Sequence, residues 1–361
     1  MFENKAALSK LAALNPLAAG VAASGGGEHG RKGGRTIASS SGKSTTAEKI
    51  GGAFAAAKDA PWLKERDAVL ETIVTRNAAL MEKLPKPPIK VTLPDGKEID
   101  GTAWVTSPLD IATGISKGLA QATCVASVKY AQRLEGISVS MVEIAADPDG
   151  DADEGPVDWE LWDINRPLEG SCELQLHKFE DERSKQVFWH SSAHILGEAL
   201  EGLYGAQLTH GPPTEGGFFY DSYMGSTSVT SDMSKELEKK AKAIADAKQN
   251  YERVVVTKEE CLNIFKNNPF KCSMIASKLP DGSSTTVYRC GPFIDLCKGP
   301  HLPNTGRVKA FAVTKASSAL WLGKQGNDEL QRVYGITFPD KKEMAEWKTL
   351  QEEAAKRDHR V

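Results

Sequence analysis

Pro88-Ile89-Lys90-Val91-Thr92-Leu93-Pro94-Asp95-Gly96 sets apolar side chains at alternate positions and then supplies a turn whose glycine tolerates a positive φ. Two-residue alternation belongs to a strand with one buried face, so the stretch predicts a strand, a tight turn and a returning strand. Downstream, Ser107 to Gly118 predicts a capped helix with Ile111, Ile115 and Leu119 on one side. Strands around Thr123 to Val128 and Cys172 to His177 complete a small sheet in a β-grasp-like order. From about 130 to 158 the order is interrupted: Asp147, Asp149, Asp151, Asp153 and Glu154 crowd a segment with no periodic apolar face. It reads as a solvated acidic insertion, because it lacks the closing bidentate glutamate and the flanking helices of a calcium loop.

Upstream, Trp62, Leu63, Val69, Leu70, Ile73, Val74, Leu80 and Met81 recur at helical spacing behind Pro61, and Pro85, Pro87 and Pro88 close the run. Residues 59–87 are therefore a helical lead-in. Before them, Gly25-Gly26-Gly27, Gly33-Gly34 and Ser39-Ser40-Ser41 offer too little apolar surface to offset the entropy of ordering a backbone. Residues 1–58 are expected to be a disordered extension. The Ala- and Leu-rich stretch 6–23 with Arg31, Lys32 and Arg35 has some features of an organellar targeting segment, while Glu3 and Glu28 argue against one. A cytoplasmic location is expected, with a mitochondrial one as the alternative.

The chain has 361 residues, enough for two or three domains. With 45 basic and 48 acidic residues it has no global basic signature, so nucleic-acid contact would need local patches. Six cysteines without a secretory signal favour reduced thiols. No apolar run approaches the roughly 20 residues that cross a bilayer, so no membrane partner is expected.

Beyond Phe179 the pattern becomes mixed α/β: a helix from about Glu182 to Tyr204, another from about Ser231 to Tyr251, short strands through Leu322, and a charged helix from Lys341 to Arg357. Within it His190-Ser191-Ser192-Ala193-His194 puts two imidazoles on one helix face. Cys297-Lys298-Gly299-Pro300-His301 repeats the separation in what Gly-Pro makes a loop. One thiolate and three imidazoles are a sensible tetrahedral zinc set, although either pair alone is more often structural. Asp295, Lys271 in Asn268-Pro269-Phe270-Lys271, and Tyr220-Asp221 after Gly216-Gly217 are further candidates. Such groups can also orient water, move protons or stabilise an oxyanion in ester hydrolysis without a metal. No phosphate loop, nucleophile elbow or paired Cys-x-x-Cys ribbon is present.

Taken in order, the 88–96 stretch, Phe188-Trp189-His190-Ser191-Ser192-Ala193-His194, Arg289-Cys290-Gly291-Pro292, Asp295-Leu296-Cys297-Lys298-Gly299-Pro300-His301 and Gln331-Arg332-Val333-Tyr334-Gly335 resemble the threonyl-tRNA synthetase family of eukaryotic type, over about residues 60 to 360. The resemblance implies an α+β chain. A β-grasp (TGS) domain over 88–178 would precede a mixed α/β editing domain with an antiparallel sheet over 179–338, and 339–361 would lead toward a class II ligase core that this sequence does not contain. In the family that editing domain hydrolyses serine wrongly esterified to threonine tRNA, so the implied partner is the acceptor end of that tRNA carrying serine.

The editing residues the resemblance implies are His190, His194, Lys271, Asp295, Cys297 and His301. His190 and Lys271 would position or activate water, Asp295 would anchor the aminoacyl group, and the other three would shape the pocket, with Tyr220 and Asp221 as substrate-binding neighbours. Editing is expected to need no cofactor. The alternative is zinc on His190, His194, Cys297 and His301, as in the alanyl-editing relatives; ATP and the ligase zinc, like a homodimer, would belong to the absent core. The competing expectation is a non-catalytic module that binds tRNA or another synthetase.

Overall fold

The computed structural model describes residues 49–136 and 159–357, with Ala355 by its backbone alone. Most of the expected extension, and the acidic part of the expected insertion, lie outside the described residues.

The first helix among the described residues, α1 (Pro61–Glu82), starts with proline at its first turn. A sheet follows from β1 (Pro88–Thr92), β2 (Glu98–Thr102), β3 (Thr123–Tyr130), β4 (Glu160–Trp162) and β5 (Cys172–Lys178), with α2 (Pro108–Ile115) and α3 (Lys117–Ala122) between β2 and β3. The strand order is β2-β1-β5-β3-β4, with β1 parallel to β5 and the other pairs antiparallel. This is the β-grasp arrangement. The turn glycine Gly96 sits at φ 82°. Alternate residues Ile89 and Val91 of β1 join Ile111, Val128, Trp162 and Leu174 in one apolar core.

The single helix expected from Ser107 to Gly118 is instead two. Ser107 closes a reciprocal capping box with Asp110, but Ser116 is extended (φ −165°), ending α2 while capping α3. The break turns Ile115 outward, where it is 45% exposed, so it does not share a buried face with Ile111.

The second half is built on α4 (Glu182–Tyr204). Asp181 accepts from the backbone N–H groups of Arg183 and Ser184, and Gly205 closes the helix at φ 63°, as such end residues should. Around α4 lie β6 (Gln207–Leu208), β7 (Pro213–Thr214), β8 (Gly217–Tyr223), α5 (Ser231–Ala247), β9 (Tyr251–Thr257), α6 (Lys258–Ile264), α7 (Pro269–Lys278), β10 (Ser284–Cys290), β11 (Phe293–Leu296), β12 (Ala310–Leu320), β13 (Glu329–Phe338) and α8 (Lys341–Arg357). Helix α5 stops at Ala247 rather than near Tyr251, because Lys248 is left-handed and Tyr251 opens β9. Two antiparallel sheets result, β11-β10-β9 and β12-β13-β8-β6, the latter with β7 on β8.

Helix α4 is buried along most of its length, with Phe188, Ala193, Ile195, Leu196, Ala199 and Leu200 all fully enclosed. A side chain such as Phe188 contributes about 1.5–3 kcal/mol on leaving water. At Gly197 a Cβ would stand 2.8 Å from the ring of Phe293, so only glycine lets β11 approach α4 this closely. On the opposite flank Arg66 of α1 donates to both carboxylate oxygens of Glu201 at 2.9 and 2.6 Å, both side chains being buried.

Residues 49–58, expected to belong to the disordered extension, are docked. The Ile50 and Gly51 N–H groups donate to one oxygen of Asp328, Tyr223 donates to the Gly52 carbonyl, and the Ala57 N–H reaches the carbonyl of Tyr204. Ile50 and Phe54 also pack against apolar clusters. A short irregular segment without periodicity gives no sequence signal of such docking, which comes wholly from partners more than a hundred residues away.

Candidate active site

Three elements bring the chemistry together. His190 and His194, one turn apart on α4, share a face. Asp295 and Cys297 come from β11 and the residue beyond its end, and His301 from the loop that follows. Lys271 comes from the first turn of α7, where Asn268 accepts the Lys271 N–H at its side-chain oxygen and donates its amide to the Leu208 carbonyl. The loop requires Gly299, which lies at φ 71° and where a Cβ would fall 2.1 Å from the Tyr288 hydroxyl.

One donor atom from each of His190, His194, Cys297 and His301 lies within 4.8 Å of all the others. The His301 ring centre is 4.4 Å from that of His190 and 4.2 Å from that of His194, and Tyr251 stacks on it at 4.9 Å and 7°. The Ser191 hydroxyl donates to the Val187 carbonyl and accepts from the Leu302 N–H, so its contact of 3.0 Å with His301 Nδ1 is completed by a proton on that nitrogen. Nε2 of His301 then accepts from the Cys297 thiol at 3.1 Å. Ser191 is fully buried and structural, not a nucleophile.

Beside this cluster Lys271 Nζ donates to Asp295 at 2.5 Å, Tyr220 donates to the other carboxylate oxygen, and His194 Nε2 stands 3.6 Å from it. Burial pushes the Asp295 carboxyl upward, but the Lys271 ammonium and the hydrogen bonds outweigh it and hold the group below the usual carboxylate range. Burial, reinforced by the Asp295 charge, raises the Cys297 thiol well above its ordinary value, so it is protonated at neutral pH and poorly suited to attack a carbonyl. Burial likewise lowers His190 to about 4 and His194 to about 3, and pushes His301 well below 6.5. All three imidazoles are neutral at pH 7.

His190 and Cys297 are half-buried, whereas His194, Lys271, Asp295 and His301 are buried behind them. Of the two expected substrate-binding neighbours, Tyr220 is fully buried and supports Asp295. Asp221 is not part of the cluster. Consecutive strand residues face opposite sides of a sheet, and Asp221 pairs bidentately with Arg332 at 2.7 and 2.8 Å and stands 3.9 Å from His210. Sequence reasoning also missed Tyr251, whose stacking on His301 has no local signature.

The donor set also suits a metal. A tetrahedral zinc with bonds of about 2.0–2.3 Å needs donors roughly 3.3–3.7 Å apart, a modest contraction of the cluster. His194 Nδ1 is buried with no partner, as a ligand atom awaiting an ion would be. A cleft adjoins the cluster, sharing Tyr251 and Asp163 with the surroundings of His301. It encloses about 650 Å³ between α1, the β-grasp domain and β9, and is lined by Trp104, Arg133, Asp163, Arg166, Tyr251 and Arg253 among others.

The lowered histidines make stability depend on pH. Between the ordinary 6.5 and the folded values near 4 and 3 the unfolded chain binds more protons, so stability is complete above 6.5 and is lost as pH falls toward 4. Each of His190 and His194 is expected to remove on the order of 2 kcal/mol between pH 7 and pH 5. Urea unfolding at both pH values, compared with His194→Gln, checks this: an unchanged pH difference in the variant would refute it.

Two family models match the chain: the TGS domain at residues 89–178 and the threonyl and alanyl tRNA synthetase second additional domain at 285–334. Fold and site thus define a β-grasp TGS domain joined to an editing-type domain. Over 299 residues the chain is 45% identical to a probable cytoplasmic threonine–tRNA ligase 1 of Dictyostelium discoideum, and over 304 residues 44% identical to the cytoplasmic enzyme of Caenorhabditis elegans, each match covering 83% of this chain and 38% of the relative. With the human cytoplasmic threonine–tRNA ligase 1 it shares 46% over 286 residues, 79% of this chain and 35% of that protein. The chain is a homologue of the threonyl-tRNA synthetases, matching little more than a third of their length and carrying their TGS and second additional domains.

Proposed function

We propose that the chain hydrolyses the ester that joins serine wrongly to threonine tRNA, in the cytoplasm where the named relatives are placed. The observation that supports this reading is the convergence of His190, His194, Cys297 and His301 beside the buried Lys271–Asp295 pair. The need for such a step is physical: serine lacks one methyl of threonine, and one methyl discriminates only about 10- to 200-fold.

With Cys297 protonated and Ser191 committed to the helix, water is the nucleophile. His190, neutral and half-buried, accepts a hydrogen bond from that water and orients it; an imidazole with a pKa near 4 is too weak a base to hold the proton, which passes to the ribose oxygen as the acyl–oxygen bond breaks, leaving free serine and a ribose hydroxyl. The Lys271 ammonium offsets charge developing on the ester oxygen, and the Asp295 carboxylate attracts the α-ammonium of the aminoacyl group. His194, Cys297 and His301 form the wall that limits side-chain size. Were a zinc ion held by His190, His194, Cys297 and His301, it would supply a Lewis acid for the same ester. Threonylation of tRNA by a longer protein containing this region is a further part of the reading, since its relatives are ligases.

The test is incubation of the purified chain with threonine tRNA charged with labelled serine or with threonine. Serine release well above background, with threonine retained, is the expected result, and activity should survive chelation. Loss of activity together with one equivalent of zinc would instead establish the metal-dependent reading. No release from either tRNA would remove the hydrolase.

A second reading, a binding module without turnover, is favoured by one observation: the cleft beside the cluster is lined by Arg133, Arg166 and Arg253, although Asp163, Glu169 and Glu252 line it too. It requires tRNA binding that weakens steeply with salt and no deacylation.

A further inference from the structure

We infer that Asp163, which belongs to the β-grasp domain, is a positioning residue for the hydrolytic site of the other domain. The inference rests on the function proposed above. Asp163 directly follows β4, is 8% exposed, and spends both carboxylate oxygens on the editing half. Oδ1 accepts the backbone N–H of His301 at 2.7 Å and Oδ2 accepts the Tyr288 hydroxyl at 2.8 Å. Two residues on, the Asn165 amide donates to the Pro303 carbonyl at 2.9 Å.

The consequence follows from what else holds His301. The segment from Cys297 to His301 has no ladder partner of its own beyond β11, and its Gly299 leaves the backbone free to move if its contacts are lost. Tyr251 stacks on one side of the imidazole and Tyr288 presents its edge at 4.5 Å, so Asp163 fixes both the backbone of His301 and one of the rings around it. A carboxylate accepting two short hydrogen bonds in a buried place is a firm anchor, because leaving either donor unpaired carries a desolvation penalty. His301 is part of the wall against which the seryl ester is seated, and a bound ester displaced by about 1 Å from the line of attack can react about 10²-fold more slowly. The β-grasp domain therefore completes the site in the other domain, without touching substrate.

Asp163→Ala is expected to lower kcat for serine release roughly 10- to 100-fold, with KM changed by less than about twofold. Backbone amide exchange across 298–303 should accelerate while that of α4 remains slow. Asp163→Asn, which keeps an acceptor for the His301 N–H and can donate to Tyr288, should restore slow exchange and most of kcat. If the alanine variant fails to fold, Asp163→Ser, too short to reach both partners, replaces it with the same expectations. Unchanged kcat and unchanged exchange in Asp163→Ala or Asp163→Ser would overturn the inference. Should the unaltered chain release no serine, the hydrolase reading falls, and the exchange comparison alone still decides whether Asp163 holds the loop.

Discussion

Replacing His190 with alanine is expected to slow serine release by about 10²-fold, the order of loss when an attacking water is no longer held in line. His190 is the most accessible of the three clustered imidazoles, and none of its neighbours relies on it for a hydrogen bond in the structure. The Lys271–Asp295–Tyr220 network and the Ser191–His301–Cys297 chain survive its removal. The loss should therefore appear in kcat, with binding of the charged tRNA little changed. Single-turnover deacylation over a range of enzyme concentrations separates the two. A rate constant within a fewfold of the unaltered chain would mean that water is oriented by something else.

Lys271→Met is expected to destabilise the fold by about 3–5 kcal/mol, because it leaves the Asp295 carboxylate buried without its counter-ion. Asp295 is 4% exposed and Lys271 3%, so neither has solvent to fall back on. The Tyr220 hydroxyl and the Leu296 N–H still donate to Asp295, which puts the expected loss toward the lower end of that range. Combining Lys271→Met with Asp295→Leu should return much of the stability, since a buried pair replaced by apolar groups is often neutral. Urea unfolding of the single and double variants measures both. A single-variant loss below about 1 kcal/mol would show that the carboxyl simply takes up a proton.

The elements most readable in the sequence were those governed locally. The helix expected from about Glu182 to Tyr204 has those bounds, with Asp181 and Gly205 at its ends, and Ile89/Val91 alternation with Gly96 at the turn gives the first hairpin. Gly299-Pro300 identified a loop between Cys297 and His301. What stayed hidden depended on distant partners. The docking of Ile50 and Gly51 needs Asp328, and the clamp on His301 needs Asp163, from a different domain. Asp221 lies off the cluster for a simpler reason, since strand alternation separates it from Tyr220. The break at Ser116 was obscured because a serine inside a helix pattern also suits the cap of the next helix.

Helix α4 has one more implication, for how this segment tolerates change over generations. His190, His194 and Glu201 reach Cys297, His301 and Arg66 only because their spacing fixes their angles around a common axis. Each added or deleted residue turns everything beyond it by about 100°. Point substitutions on the outer turns of α4 can therefore accumulate, whereas insertions or deletions between 190 and 201 would unseat the histidine pair or the Arg66 anchor, and the number of residues there should be invariant among functional versions of the protein.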